Sequence, residues 1–409
     1  MRSKHFHNIV VRLILAAIFL IPLFRWKGVF FEYTFPKALL FFVLVELAFV
    51  FWLPEAQERI KKFGKSPLVY ILWSFFGVLV VATFLGADPY HSVWSNNERM
   101  MGLWTHAHVT LFFLIISTSF TNKNEQIYLL YAVASSAVAV ALIGFFEFVQ
   151  YGTSMRIEST LNNSAFLATY LLPAFFTVLL LFVRDKKWNG LSYLWLVALF
   201  LIGFVVVLTG TRGAMLALGG AGALLAFIFA FSFPKSEQIL SLPGSKIRII
   251  SIAFIGVALL ALVVGSVFRE RLIASSFDPV SRLASLSLSD STVKGRFLAW
   301  RVGWEGIKER PILGWGVENY DILFNTHYDP RLVDQEPWFD RAHNVLIDTA
   351  ATAGIFGLVA YLVMFSTAWF MLRDKTMSFP SRILLGVGLG AHLMQLLFVF
   401  DMLPSLMML

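Results

Sequence analysis

Eleven long apolar stretches dominate this 409-residue sequence, and each could cross a bilayer as a helix. A spanning helix needs about 20 apolar residues, because it rises about 1.5 Å per residue through a hydrocarbon core about 30 Å thick. Hydrophobic residues make up 58% of the chain and charged residues 14%, which is more apolar surface than one soluble core can enclose. We therefore predict an all-α, polytopic membrane protein with about 11 transmembrane helices. The predicted spans are 8–24, 36–53, 67–85, 103–120, 127–149, 164–183, 191–209, 213–233, 248–266, 343–371 and 383–403.

One long hydrophilic segment, residues 267–341, interrupts the apolar pattern. It divides the chain into a predicted bundle of nine spans over 1–266, a partly helical loop or cap over 267–341, and two further spans over 342–409. The segment holds ten Lys and Arg against eleven Asp and Glu. This near neutrality favours a folded cap over a basic arm.

Basic residues predict the orientation of the chain, because Lys and Arg accumulate in short cytoplasmic connections. With the amino terminus in the cytoplasm, the inner connections hold sixteen Lys and Arg and the short outer connections hold six. The basic residues therefore predict a multi-pass protein with its amino terminus in the cytoplasm and the segment 267–341 on the outer side of the membrane.

Several kinds of chemistry are not expected from this sequence. There is no Cys, which removes thiol nucleophiles, disulfides and Cys-ligated metals. The net charge of +8 is scattered between apolar runs, so we expect no nucleic-acid partner. No P-loop pattern occurs, and His106 and His108 stand two apart on a predicted helix, on different faces. We predict no cofactor and no metal site.

Aromatic residues repeat at helical spacing within the hydrophilic segment, at Phe297, Trp300, Trp304 and Ile307. This pattern predicts an amphipathic helix that ends at Pro311. Such a helix either lies at the level of the lipid headgroups or packs on the cap, and the sequence leaves both interpretations open.

Ionisable residues inside predicted spans, namely Glu46, Glu147 and His392, are costly in lipid and call for an explanation. Glu46 and His392 fit either the proton relay of a transporter or hydrogen bonds inside the helix bundle. Hydrogen bonds inside the bundle would make these residues structural, without a role in function.

Arg212 lies in the connection "TGTRGA" between the seventh and eighth predicted spans. Gly210 and Gly213 permit a tight turn, which fixes the guanidinium at the outer end of a helical hairpin. The side chain is either a snorkelling arginine or an anion contact at the headgroup plane.

His343 stands at the start of the tenth predicted span. If Asp340 caps that helix, His343 lies in its first turn, where the helix dipole disfavours an imidazolium. We expect a neutral imidazole at the membrane boundary, next to Arg341 and Asn344. It is either a general base or a hydrogen-bonded interfacial histidine.

Four stretches together resemble the bacterial O-antigen ligase and O-antigen polymerase superfamily. They are "STLNNSAFLATYLLP", "TGTRGAMLAL", "GRFLAWRVGWEGIKERPILGWGVENY" and "AHNVLIDTAATAGIFGLVAYL". Their order, spacing and common outer placement carry the resemblance, which covers roughly residues 80–375.

The resemblance implies transfer of a glycan from an undecaprenyl-diphosphate carrier to an acceptor hydroxyl on the outer side of the cytoplasmic (inner) membrane. It implies that Arg212 and Arg296 bind the diphosphate and that His343 accepts the proton of the attacking hydroxyl. Glu158, Asn163 and Asn344 are further candidates for contacts with donor or acceptor. The implied partners are the lipid bilayer, the lipid-linked glycan and a glycan or lipid acceptor.

The resemblance fits a ligase and equally a polymerase of lipid-linked repeat units. A lipid or oligosaccharide transporter and a non-enzymatic assembly scaffold remain alternatives from other functional classes. Family ligases usually have twelve spans, so the eleven predicted here also leave open a truncated or divergent member. The glycan, the acceptor and the oligomeric state do not follow from the sequence.

Overall fold

The structure, a computed structural model, describes residues 2–63, 65–152, 155–185, 187–287, 290–333 and 337–408. Positions 288–289 and 334–336 of the expected cap therefore lie outside the described residues. The described part is mainly helical. In chain order its helices are α1 Arg2–Leu23, α2 Phe35–Trp52, α3 Ala56–Phe63, α4 Pro67–Phe84, α5 Pro89–Trp94, α6 Leu103–Ser119, α7 Lys123–Tyr151, α8 Ser164–Arg184, α9 Gly190–Leu208, α10 Arg212–Ser232, α11 Gly244–Val267, α12 Arg269–Ile273, α13 Asp278–Ala284, α14 Ser291–Glu309, α15 Tyr320–Thr326, α16 Val345–Met371, α17 Phe379–Leu396 and α18 Leu403–Leu406.

Nine helical stretches within the described residues are long and apolar enough to cross a membrane. They are Lys4–Leu23, Phe35–Lys62, Pro67–Phe84, Lys123–Tyr151, Ser164–Arg184, Gly190–Leu208, Arg212–Ser232, Gly244–Val267 and Val345–Met371. The predicted all-α, polytopic membrane architecture is confirmed at this level. α6 and α17 occupy the positions of the other two predicted spans, so the count of eleven stays a prediction. A two-residue antiparallel pairing of Gln238–Ile239 with Leu242–Pro243 joins α10 to α11.

The described chain divides by internal contacts into two units. Unit 1 comprises Met1–Ala132, Ser287–Phe370 and Leu396–Met407, and unit 2 comprises Val133–Leu286, Met371–Gln395 and Met408–Leu409. The boundary at 286–287 falls inside the hydrophilic segment 267–341. Its beginning therefore folds with unit 2, and the remainder folds with unit 1.

One apolar core of unit 1 forms around α14 and α15. Ala299 and Val302 of α14 pack with Tyr320 and Leu323 of α15, and Ala351 of α16 joins the same cluster. The helix α14 thus rests on the first turns of a membrane span. Its apolar residues divide between two faces, since Ile307 packs on this cluster while Phe297 and Trp304 are exposed.

α16 is broken at Gly354, which has φ 66° and ψ −167°. Only glycine adopts this region easily. The N–H of Ile355 donates to the carbonyl of Pro311 at 2.8 Å, so the loop before α15 replaces a bond of the helix. α16 thus begins at Val345, within the approximate predicted span 343–371, and it is kinked at Gly354.

In unit 2, α8, α10 and α17 share one apolar cluster. Ala217 and Ala221 of α10, four residues apart, are buried against side chains such as Phe176 and Val387. Small residues let the helix backbones approach closely. α17 ends at Leu396, earlier than the predicted limit of 403, and the next six residues are not helical.

Candidate active site

His343 lies in unit 1, immediately before α16. The helix is capped by Asn344, whose Oδ1 accepts from the N–H groups of Leu346 and Ile347 at 3.0 and 3.2 Å. The expectation that Asp340 is the cap is wrong. His343 itself has φ 51°, in the left-handed region that a branched or bulky residue adopts only when its surroundings hold it there.

The imidazole of His343 is fixed by one hydrogen bond and two aromatic rings. Its Nδ1 lies 3.1 Å from the carbonyl oxygen of Arg341. Phe339 and Phe400 meet the ring edge-on, at centroid distances of 5.3 and 5.2 Å. A carbonyl oxygen can only accept, so Nδ1 carries the hydrogen of the neutral ring and Nε2 keeps the lone pair.

The His343 ring is neutral at physiological pH. Burial lowers its pKa to about 4, and the positive charge of Arg296 acts in the same direction. The opposing influences, the hydrogen bond to the Arg341 carbonyl and the charge of Asp340, are smaller. The predicted neutral state is thus supported, but its cause is burial and a neighbouring cation.

Arg296 lies on α14, a helix whose N-cap is Asp290, with its side chain accepting from the N–H of Thr292. The side chain of Arg296 is partly exposed. The charge of Arg296 lowers the pKa of His343. Two of the three residues that the resemblance singled out, Arg296 and His343, therefore interact electrostatically inside unit 1.

Arg341 is buried between two carboxylates. Its guanidinium lies 2.9 Å from Glu318 and 3.0 Å from Asp348. Burial alone would lower the pKa of Arg341, but these carboxylates outweigh it and raise the pKa. The second oxygen of Asp348 accepts from the N–H of Ala342 at 3.0 Å.

A second arginine, Arg99, pairs with Asp340 at 2.5 Å. Arg99 and Arg341 both lie over the ring of Phe400, each 5.3 Å from its centroid. The segment after α17 thus contributes an aromatic ring that touches His343 and both cations. Sequence reasoning missed Glu318, Phe400 and the roles of Arg99 and Asp348. The only indication in the sequence was that charged residues lie near the predicted base. Their spacing along the chain does not show which of them form ion pairs.

Arg212 lies in unit 2 as the first residue of α10, after a turn at Gly210 with φ 61°. The predicted tight turn is therefore present, but α9 and α10 contact each other little beyond it, so they do not pack as a helical hairpin. The Nε of Arg212 donates to the carbonyl of Arg282 at 2.9 Å, and Nη2 donates to Oγ of Ser285 at 3.1 Å. Arg212 thereby ties the start of α10 to the first part of the hydrophilic segment.

The weaker candidates in unit 2 occupy structural positions. Asn163 caps α8, with its Oδ1 accepting from the N–H of Ala165 at 2.7 Å. Glu158 is half-buried, and burial together with the charge of Glu147 raises its pKa. The carboxylate of Glu147 accepts from the N–H groups of Glu158 and Ser159, which explains this acidic residue near a span end. Whether Glu158, Asn163 and Asn344 contact a substrate stays a prediction.

Glu46 of α2 is paired with His108 of α6 at 3.1 Å, within unit 1. His392 is fully buried in unit 2. Among the described residues, no group of three or more His, Asp or Glu is arranged to hold a metal ion.

Residues 197–362 match a protein-family model described as O-antigen ligase. This chain carries an O-antigen ligase domain. The resemblance predicted from the sequence is thereby confirmed. The O-antigen ligase domain begins inside α9 and ends inside α16, so it contains Arg212, Arg296 and His343, while Glu158 and Asn163 precede it.

Similarity extends beyond the O-antigen ligase domain. An uncharacterized protein of Haemophilus influenzae is 22% identical over 398 residues, which cover 96% of this chain and 91% of the relative. Together, the family match and the membrane spans indicate a multi-pass membrane glycosyltransferase of the ligase or polymerase type.

Proposed function

We propose that this protein transfers a glycan from an undecaprenyl-diphosphate carrier to an acceptor hydroxyl at the outer face of the cytoplasmic membrane. The observation that carries the proposal is the neutral His343, whose Nδ1 donates its hydrogen to the Arg341 carbonyl and whose Nε2 therefore keeps the lone pair. It is supported by the position of this residue, with Arg296 and Arg212, inside the O-antigen ligase match.

In the proposed reaction, the acceptor oxygen attacks the anomeric carbon of the donor sugar. The bond between that carbon and the diphosphate oxygen breaks, and its electron pair leaves with the diphosphate. Nε2 of His343 takes the hydroxyl proton. General-base assistance of this kind contributes about 10²- to 10⁴-fold to a rate.

The leaving diphosphate gains negative charge as the bond breaks. Arg296 is a permanent cation close enough to influence His343 electrostatically, and guanidinium groups can stabilise such charge without a metal. We assign Arg212 the same task, as the resemblance implies. Donor binding would also raise the basicity of His343, because the diphosphate opposes the charge of Arg296.

A transfer assay with purified protein and a synthetic undecaprenyl-diphosphate-linked glycan tests the proposal. We expect His343→Ala to lose about 10²- to 10⁴-fold in rate while remaining folded. The matched control is His5→Ala, since His5 is exposed at the amino terminus. Full activity of His343→Ala would refute the assignment.

The same preparation separates the alternatives. Glu46→Gln should keep transferase activity, whereas a proton-coupled transporter would be impaired by this change and would tolerate loss of His343. If the protein is an assembly scaffold, neither the wild type nor the His343 and Glu46 variants should transfer the glycan. Offering a lipid-linked repeat unit or a lipid-core acceptor distinguishes a polymerase from a ligase.

A further inference from the structure

The buried ion triad of Glu318, Arg341 and Asp348 is not needed to form or break bonds in the proposed reaction. Its three side chains are only 3–10% exposed, and they come from three places: the turn before α15, the segment before α16 and the first turn of α16. Replacing such a triad with apolar residues of similar volume is often neutral or stabilising, so stability is a poor explanation for it. Orientation of a nearby group is a better one.

Asp348 holds the segment before α16 at two points. One carboxylate oxygen pairs with the Arg341 guanidinium at 3.0 Å, and the other accepts from the N–H of Ala342 at 3.0 Å. These two contacts lie on either side of the Arg341 carbonyl. The direction of that carbonyl is therefore fixed, and it is the acceptor for Nδ1 of His343.

Glu318 holds Arg341 from the other side. Its Oε1 lies 2.9 Å from Arg341, and its Oε2 accepts from Oγ of Ser95 at 2.5 Å. Glu318 has φ 65°, so its backbone, like that of His343, is in the left-handed region. Two residues in this region, joined through one buried arginine, indicate a segment whose conformation is imposed by tertiary contacts.

We infer that Glu318 and Asp348 are positioning residues: they clamp Arg341 so that its main-chain carbonyl holds His343 as the Nδ1–H tautomer and leaves Nε2 free to accept a proton. This inference rests on the proposed function for the role of His343 as base. The orientation itself is a property of unit 1 alone. The charged groups that act on the imidazole are Arg296, Asp340 and Arg99, and none of them is altered in the test.

The test uses Asp348→Asn and Glu318→Gln, which keep the shape of each side chain and remove its charge. The matched control is Asp329→Asn, because Asp329 belongs to the same hydrophilic segment and pairs with Arg331 in an exposed ion pair. We expect each triad variant to lower kcat by about 10- to 100-fold with KM within about threefold, by analogy with the hydrogen-bond partners that orient metal-bound histidines, whose loss has effects of this size. The control should match the wild type.

A second readout does not require activity. Diethyl pyrocarbonate modifies neutral imidazoles, and peptide mass spectrometry reports the rate at His343 separately. In the wild type, reactivity at His343 should stay constant between pH 5 and 7 because its pKa is about 4. In the triad variants, the released and more hydrated ring should titrate within this window, towards its ordinary pKa of about 6.5.

Wild-type kcat and unchanged labelling in both triad variants would overturn the inference. Changed labelling with intact transfer would uphold the orientation and reject His343 as the base, so the two proposals fail separately. If Asp348→Asn does not fold, as judged by gel filtration, Glu318→Gln alone decides, because its backbone contacts are unchanged.

Discussion

Nδ1 of His343 lies 3.1 Å from the carbonyl oxygen of Arg341, two residues earlier in the chain. This short-range contact decides the tautomer of the ring. His343 has a left-handed backbone, and its imidazole packs against the rings of Phe339 and Phe400. The chemistry of the proposed base thus begins with a main-chain conformation.

The pH dependence of the transfer reaction should differ between free enzyme and donor complex. Burial and Arg296 lower the pKa of His343 to about 4, so kcat/KM should change little between pH 5 and 7. The bound diphosphate opposes the charge of Arg296, so the acidic limb of kcat should lie at higher pH than that of kcat/KM. Initial rates measured from pH 4 to 8 check this order.

Removing the cation tests the cause of this shift. In Arg296→Gln, the acidic limbs of kcat and of kcat/KM should both move to higher pH, towards the ordinary histidine pKa of about 6.5. Unmoved limbs would mean that Arg296 does not act on the base. The lowered pKa also makes stability depend on pH. Because the unfolded chain binds a proton at His343 more readily than the folded chain, the free energy of unfolding should fall as pH drops from about 6.5 to 4.

Arg212→Lys should weaken donor use although it keeps the positive charge. Lysine lacks the planar fork of donors that matches a phosphate and that also reaches the Arg282 carbonyl and Ser285. We expect kcat/KM to fall about tenfold, and about 100-fold for Arg212→Ala, from hydrogen bonds to charged groups that contribute about 1.5 to 3 kcal/mol. The assay is transfer at limiting donor concentration.

Arg269→Lys is the control for Arg212. Arg269 is exposed in the same unit and likewise donates to main-chain carbonyls, of Ala284 and Leu286. Its substitution should leave kcat/KM unchanged. If the two lysine variants behave alike, Arg212 has no special role with the diphosphate.

Gly354→Ala should destabilise the protein. A Cβ at this position would lie 2.1 Å from the carbonyl oxygen of Ile312, and φ is 66°. The backbone at Gly354, with φ 66° and ψ −167°, alone costs about 1 to 3 kcal/mol for a residue other than glycine. Thermal unfolding in detergent, followed by tryptophan fluorescence, should show a lower midpoint.

The matched variant for Gly354 is Gly256→Ala in α11, where a Cβ meets nothing within 4 Å. Alanine is favoured over glycine within a helix by about 0.5 to 1 kcal/mol, so this change should be neutral or stabilising. Equal effects of the two substitutions would show that the break in α16 is not required.

The predicted orientation is open to a direct test, because the native chain has no thiol. Val333→Cys, at a site 61% exposed in the hydrophilic segment, should react with a membrane-impermeant maleimide added outside spheroplasts. Lys61→Cys in α3 should react only after the membrane is permeabilised. The reverse pattern would place the proposed site on the cytoplasmic side.

The sequence by itself determined the membrane class, most of the spans and the tight turn before Arg212. These features depend on local composition: long apolar runs must become helices in lipid, since no water is available to satisfy the backbone, and glycines permit the tight turn. It also identified the O-antigen ligase resemblance, which the match over residues 197–362 confirms.

Only the tertiary structure decided how His343 is held. The choice of Asn344 over Asp340 as helix cap follows from the pairing of Asp340 with Arg99, 241 residues away in the chain. The contact of Phe400 with the imidazole requires α17 to end early, at Leu396. Spacing along a chain cannot encode such pairs, because ion pairs and ring contacts depend on distances in space between segments remote in sequence.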